Sequence, residues 1–324
     1  MGIVTDVGLG GAVILEHLLH GEHQLFVPAK GDSIYTDIFR EELQAYKPDA
    51  VIVIDQGSRA EDLLPDVPTL TIDHHTPHGI PKGVYITAFH RTPNISSSHL
   101  CYQLAGEPEA LLWLAAIGEI GDFGTGASSH VVTEASQRYT QLSLLEIVAL
   151  INAARRSSRF DWKTAHQVLS TANEPGQIDH HEIPGAELLV ADRKEVNREL
   201  QRARKAHPFF ADPWAVIPFS SPCLIRSIIA RAWEKRLHAH YVVAANFGYR
   251  PGEVFFSIVA VLPVDLVTLL REAAPQGLPE DWGHGYPSVT DGAVSRHDFL
   301  LLLTHLGFTP EQVIEIDRAA THPH

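Results

Sequence analysis

Four acidic positions and one pair of imidazoles fall where apolar runs end. Asp55 closes the run VIVID and is followed by Gln56-Gly57-Ser58, and Asp73 closes TLTID and opens Asp73-His74-His75. Asp6 follows GIVT, and Asp122 follows WLAAIGEIG and precedes Phe123-Gly124. A lone aspartate at a strand end is more often a turn or capping residue, and a single His-His pair in a loop is more often surface than ligand. The joint pattern is different, because the carboxyl ends of parallel strands converge on one crevice, where ligands bind in open α/β sheets. Carboxylates mixed with imidazoles suit Mn²⁺, Fe²⁺ or Zn²⁺, whereas an all-oxygen set would suit Mg²⁺ or Ca²⁺. The chemistry to expect is therefore that of a metal site.

The elements that would position these groups alternate. Gly2 to Thr5, His23 to Val27, Ala50 to Ile54 and Thr69 to Ile72 are short apolar runs suited to buried strands. Between them Ala12 to Leu19 and Ile34 to Tyr46 carry helical spacing, the second stopping at Lys47-Pro48. Strands interleaved with helices predict an α/β fold with a parallel, doubly wound sheet. From 96 to 169 the pattern is helical, over Ser96 to Leu104, Pro108 to Ile117, Val131 to Tyr139, Leu142 to Ala154 and Trp162 to Leu169. Glu187 to Ala206 has the mixed charges of a solvated connector helix. Beyond it, apolar runs at Ala215 to Phe219, Tyr241 to Asn246 and Glu253 to Val261 mix with helical spacing at Cys223 to Arg236 and Val264 to Ala273. We therefore expect a first domain over 1–186, a helical linker over 187–210 and a second, smaller α/β domain over 211–324.

Composition bounds the function. The 324 residues are 45% hydrophobic and 20% charged, which suits a soluble globular chain. A formal net charge of -14 argues against a protein that coats long nucleic acid through a broad basic surface, though a metal ion can supply local positive charge for a small anion. With two cysteines, Cys101 and Cys223, a reducing compartment is the simpler expectation. No basic leader precedes the first apolar run, and no apolar stretch approaches the ~18 residues of a membrane span. A cytoplasmic protein with no membrane partner is expected.

The segments VIVIDQGS, TIDHHTPHG and AIGEIGDFG resemble, in order and spacing, the second, third and fourth motifs of the DHH-family phosphoesterases. Leu150 to Arg156 resembles the Asn-Ala-…-Arg segment of the RecJ-like members, and Asp281-Trp-Gly-His-Gly-Tyr-Pro287 resembles the glycine-rich motif of their DHHA1 domain. A second Asp-His-His at 179–181 lies in EPGQIDHHEIPG without a preceding strand, and reads as a coincidental loop. The resemblance implies a DHH domain with a helical extension joined to a DHHA1-like substrate-binding domain. By the same resemblance Asp73, His74 and His75 would be catalytic, and Asp6, Asp55, His74, His75 and Asp122 would hold one or two Mn²⁺ or Mg²⁺ ions. Such ions lower the pKa of a bound water and stabilise charge on phosphoryl oxygens. Asn152, Arg155 and Arg156, with the Gly283-His284-Gly285 turn, would hold substrate phosphate.

The first motif of that family resembles His-Thr-Asp-x-Asp-Gly, and here the stretch is Val4-Thr5-Asp6-Val7-Gly8. Valine stands where the histidine is expected, and glycine where the second aspartate is. In the last motif Tyr286 stands at a histidine position, and Ser257-Ile258-Val259-Ala260 lacks an arginine. Three readings follow. One is a metal-dependent phosphoesterase acting on nucleotides or short single-stranded oligonucleotides, with a homodimer admitted. Another is a catalytically impaired relative that binds nucleotide or nucleic acid, or joins a complex. The third is a structural relic of the fold.

Overall fold

A computed structural model of the chain describes residues 1–5, 8–237, 239–261, 264–278, 282–286 and 288–321. Asp6, Asp281 and Pro287 lie outside them, as does Val7 of the first motif. By contacts the chain divides into two units, one of residues 1–155 and 160–191, the other of 156–159 and 192–324.

The first unit is built on five parallel strands: β1 (Gly2–Val4), β2 (Gln24–Phe26), β3 (Val51–Ile54), β4 (Thr69–Asp73) and β5 (Val84–Thr87), in the order β2-β1-β3-β4-β5. Alternation along β3 shows why both faces need cover. Ile52 and Ile54 enter one apolar cluster, and Val51 and Val53 enter another. Helix α1 (Leu9–Glu16) covers the first face, and α2 (Asp37–Tyr46) covers the second through Phe39 and Leu43. The chain runs from β1 outward to β2, then back past β1 to β3. The topological switch therefore falls between β1 and β3, and Asp55 stands at the carboxyl end of β3.

The helical extension is α3 (Ser97–Leu104), α4 (Leu112–Phe123), α5 (His130–Tyr139), α6 (Gln141–Arg156), α7 (Trp162–Thr171) and α8 (Pro175–Asp179). Helix α4 begins later and ends later than its hydrophobic run suggests, so Asp122 lies in its last turn instead of after it. Of the Asp-His-His at 179–181, Asp179 is the last residue of α8, and His180 and His181 form the turn that follows it. Asp179 there accepts a hydrogen bond from Ser143 Oγ.

Helix α9 (Ala186–Ala203) carries the division between the units, which falls after Ala191. It is not a solvated rod. Asp192 and Glu199 are buried, Arg159 reaches Asp192 at 2.8 Å, and the N–H of Ser158 donates to Glu195 at 3.2 Å. The charges read as a polar surface are thus partly internal pairs that pin 156–159 to the second half of the helix.

The second unit has a mixed sheet of β6 (Phe209–Ala211), β7 (Trp214–Phe219), β8 (Tyr241–Asn246), β9 (Glu253–Ala260), β10 (Gly283–Tyr286) and β11 (Val289–Ser295), in the order β10-β11-β9-β8-β7-β6. Helices α10 (Arg226–Glu234), α11 (Leu266–Ala273), α12 (Arg296–His305) and α13 (Pro310–Thr321) complete it. Gly283-His284-Gly285 is part of edge strand β10, paired with Gly292, Asp291 and Thr290, and is not a tight turn. Among the described residues no helix is long and apolar enough to cross a membrane, and Cys101 and Cys223 are both buried and outside any disulfide.

Candidate metal centre

Strand β3 ends in a backbone that only a few residue types tolerate. Asp55 has φ +64°, and its N–H donates to Ile72 O of β4 at 3.0 Å. Aspartate and asparagine enter this left-handed region more readily than other side chains with a Cβ. The turn places the Asp55 carboxylate, 6% exposed, beside the residues that follow β4.

His74 Nδ1 lies 3.0 Å from Asp55 Oδ1, and His75 Nδ1 lies 4.0 Å from the same oxygen. The two rings stack at 4.3 Å between centroids and 27° between planes. One donor atom from each of Asp55, His74 and His75 falls within a set whose members are all within 4.8 Å of one another. Asp122 Oδ2 stands 4.0 Å from His74 Nδ1, and Phe123 packs edge-on to the His74 ring at 5.6 Å. A buried anionic oxygen, two imidazole nitrogens and a nearby second carboxylate form a donor set that fits a divalent transition ion.

Asp73 does something else. Fully buried, it accepts the His75 N–H at 3.1 Å through Oδ2, and through Oδ1 the His75 Nδ1–H at 2.9 Å and the Gly57 N–H at 3.3 Å. Both its oxygens are occupied, so it orients His75 and ties the loop after β3 to the loop after β4. Those loops are joined again where His78 N–H donates to Ser58 O at 3.1 Å and Ser58 Oγ donates to Gly79 O at 2.8 Å.

Charge around the cluster is strongly coupled. Burial alone would raise the Asp55 carboxyl, but the hydrogen bond and charge of His74, the charge of His75 and the Ser97 hydroxyl hold it below the usual carboxylate range. For His75, burial works downward, yet the Asp73 hydrogen bond and the charges of Asp55, Asp73 and Asp122 lift it to about 9. His74 is raised against the same burial, chiefly by Asp55. Asp122 is raised, first by burial and then by Asp55, while His74, His75 and Arg155 oppose the shift. Its side chain keeps 27% of its surface exposed, so water limits the size of that rise.

Ser97, at the start of α3, went unnoticed in the sequence. Its hydroxyl donates to Asp55 Oδ1 at 2.7 Å, and its oxygen lies 3.1 Å from His74 Nδ1. The run Ser96-Ser97-Ser98-His99 at a helix start reads as capping, and Ser96 does cap α3 by accepting the His99 N–H. The neighbouring hydroxyl is the one that meets the site. We expect Ser97→Ala to weaken Mn²⁺ binding about tenfold, as loss of a partner that orients a ligand does, and titration calorimetry on the purified protein measures it.

The remaining positions divide. Arg155, near the end of α6, places its charge close enough to act on Asp122, and its buried Nε has no hydrogen-bond partner among the described residues. Asn152 is half-buried one turn earlier. Arg156 falls in the second unit, where its carbonyl accepts the Leu224 N–H at 2.8 Å. Gly283, His284 and Gly285 also lie in that unit, and Asp6 lies outside the described residues.

The first-motif positions are shaped for what they now carry. Val4 is 0% exposed in the apolar cluster with Phe26, Phe39 and Leu43, on the α2 face of the sheet. A Cβ on Gly8 would meet Thr5 Oγ1 at 3.0 Å and the Asp55 Cβ at 3.1 Å, tighter than ordinary contact. Restoring the histidine at Val4 would therefore bury a polar ring among aliphatic and aromatic groups instead of adding a ligand. We expect Val4→His to cost on the order of 3 kcal/mol of stability, with no gain in metal affinity. Urea unfolding and calorimetry check both halves.

No family model matches the chain, and no curated protein matches it in sequence. Solved structures do match over nearly the whole chain. One is a pGpG-specific phosphodiesterase from Vibrio cholerae, 13% identical over 98% of each chain with a TM-score of 0.49. Another is an exopolyphosphatase-related protein from Bacteroides fragilis, 12% identical over 98% of this chain and 90% of that one, with a TM-score of 0.48. CDC45 from Entamoeba histolytica is 12% identical over 94% of each chain, with a TM-score of 0.52. At this identity the likeness to CDC45 is one of α/β fold alone.

Proposed function

We propose that this chain is a divalent-metal-dependent phosphoesterase that hydrolyses phosphodiester or phosphomonoester bonds of nucleotides or short oligonucleotides. The observation that carries the proposal is the buried Asp55 carboxylate set against two imidazoles at the carboxyl ends of β3 and β4, next to the switch point of the sheet. Asp55, His74, His75 and Asp122, with Asp6 by its position after β1, would hold Mn²⁺ or Mg²⁺. The ion would acidify a bound water and offset charge on the phosphoryl oxygens.

The chain's own groups supply the rest. Ser97 and Asp73 keep the ligands in place through the hydrogen bonds already described. Arg155 brings a guanidinium to the Asp122 side, where a phosphate oxygen would find a two-pronged donor. Asn152, one turn before Arg155 on the same helix, would add a further phosphate contact. The net charge of -14 favours short substrates, because a long strand needs a basic groove to track its backbone.

Valine at position 4 and glycine at position 8 favour a second reading, in which the site binds nucleotide without turnover and serves a cytoplasmic complex. A substrate panel separates the two. With Mn²⁺, the enzyme reading expects release of mononucleotide from dinucleotides and trinucleotides faster than from strands of twenty nucleotides. Saturable dinucleotide binding with no product at any Mn²⁺ concentration would instead support the second reading.

A further inference from the structure

The first unit buries a second titratable pair one turn away from the metal centre. His99 on α3 and Glu119 on α4 have side chains 1% and 0% exposed, with His99 Nδ1 2.7 Å from Glu119 Oε2. A carboxylate only accepts, so Nδ1 carries the proton. Glu119 Oε1 accepts the Ser129 N–H at 3.3 Å, which ties the start of α5 to the same point. His99 is fixed from the backbone side as well, since its N–H donates to Ser96 Oγ at 3.2 Å. Its Nε2 is buried and has no partner among the described residues.

An apolar pair would fill this place at less cost, because a buried polar atom without a partner is unfavourable. The location suggests what the polar pair adds. Ser97, which donates to Asp55, stands two residues before His99, and Asp122 stands three residues after Glu119, on the same side of α4. Between the two pairs the helices touch: a Cβ on Gly118 would come 2.4 Å from the Ser98 Cβ and 2.3 Å from its Oγ. Helices this close can slide only if some directional contact fails to lock them. Apolar packing is non-directional, whereas the His99–Glu119 bond has one geometry.

We propose that His99 and Glu119 are positioning residues that lock the register of α3 against α4, and so set where Ser97 and Asp122 stand around the Asp55–His74–His75 cluster. Neither touches the cluster. Of the three readouts in the test, the Mn²⁺ affinity alone rests on the metal reading.

The test compares Glu119→Gln, whose amide oxygen still accepts the Ser129 N–H while its NH2 donates to Nδ1 of the other His99 tautomer, with the double variant His99→Leu/Glu119→Leu, which removes both polar groups. Each is measured in the full chain for urea unfolding, for Mn²⁺ affinity by calorimetry, and for the metal-free ¹⁵N imidazole resonances of His74. Those resonances sense its bonds to Asp55 and Ser97. The expected result is parental behaviour in Glu119→Gln. The double variant should unfold at a urea concentration near that of the parent, yet bind Mn²⁺ about tenfold more weakly with displaced His74 resonances. Parental affinity and an unchanged His74 spectrum in the double variant would overturn the proposal. Should the double variant fail to fold, His99→Asn, which can place an amide N–H near Nδ1, is compared with His99→Ala. A parental His74 spectrum in both would overturn it equally. If the parent itself binds no Mn²⁺, the metal reading fails, and the His74 spectrum alone decides the role of the pair.

Discussion

Replacing Asp55 with asparagine should weaken Mn²⁺ binding by about a hundredfold or more while leaving the fold in place. Removing a partner that merely orients a ligand costs about ten- to a hundredfold, and Asp55 is the buried anionic member of the donor set itself. Asparagine tolerates the left-handed backbone at φ +64° and can still accept the Ser97 hydroxyl, so neither strain nor a lost cap confuses the result. What it removes is the negative charge that faces two imidazoles. Calorimetry gives the affinity, and circular dichroism with urea unfolding shows that the chain is folded. An unchanged affinity in a folded variant would show that Asp55 is not a ligand.

The second large effect is on pH. Without metal, His75 titrates near 9 and is mostly protonated at neutral pH, and Asp55 holds His74 above its ordinary imidazole value. An ion that binds an imidazole nitrogen must displace its proton. Apparent Mn²⁺ affinity should therefore rise between pH 6 and 8, by about tenfold per pH unit for each proton released. The rise should level off above about 9. Calorimetry in buffers of different ionisation heat counts the protons directly, and a flat affinity from pH 6 to 8 would contradict the assignment of the two histidines. Stability of the metal-free protein follows the opposite course. The raised His75 contributes stability that is full below its unfolded value of ~6.5 and lost as pH rises through about 9, and the raised His74 acts in the same direction. The depressed Asp55 contributes stability above an unfolded carboxylate value of ~3.9, lost as pH falls below it. Metal-free protein should thus be most stable in mildly acidic solution, and metal should add most at alkaline pH.

Legibility in the sequence tracked burial. Fully buried strands such as Val51–Ile54 and Trp214–Phe219 stand out as apolar runs, because parallel or central strands need cover on both faces. Edge and half-exposed strands do not: Val84–Thr87 follows a run rich in proline and glycine, and β11 reads Val-Thr-Asp-Gly-Ala-Val-Ser. The clustering of Asp55, His74 and His75 was visible because strand-end position alone brings such residues together. Ser97 was not, since its neighbour Ser96 is a true cap and the two serines look alike in sequence. His99 and Glu119 were hidden for a related reason: twenty residues separate them, and only the packing of α3 on α4 makes them partners. The charges of α9 misled because Asp192 and Glu199 are turned inward to arginines.

The central claim is that the cluster at the ends of β3 and β4 makes this chain a metal-dependent phosphoesterase. Turnover of bis(p-nitrophenyl) phosphate, followed before chelation, after chelation and after Mn²⁺ is added back, tests it most directly. The account predicts activity that chelation abolishes, that Mn²⁺ restores along its binding curve, and that Asp55→Asn lacks under all three conditions. Hydrolysis that persists in chelator, or that survives unchanged in Asp55→Asn, would contradict it.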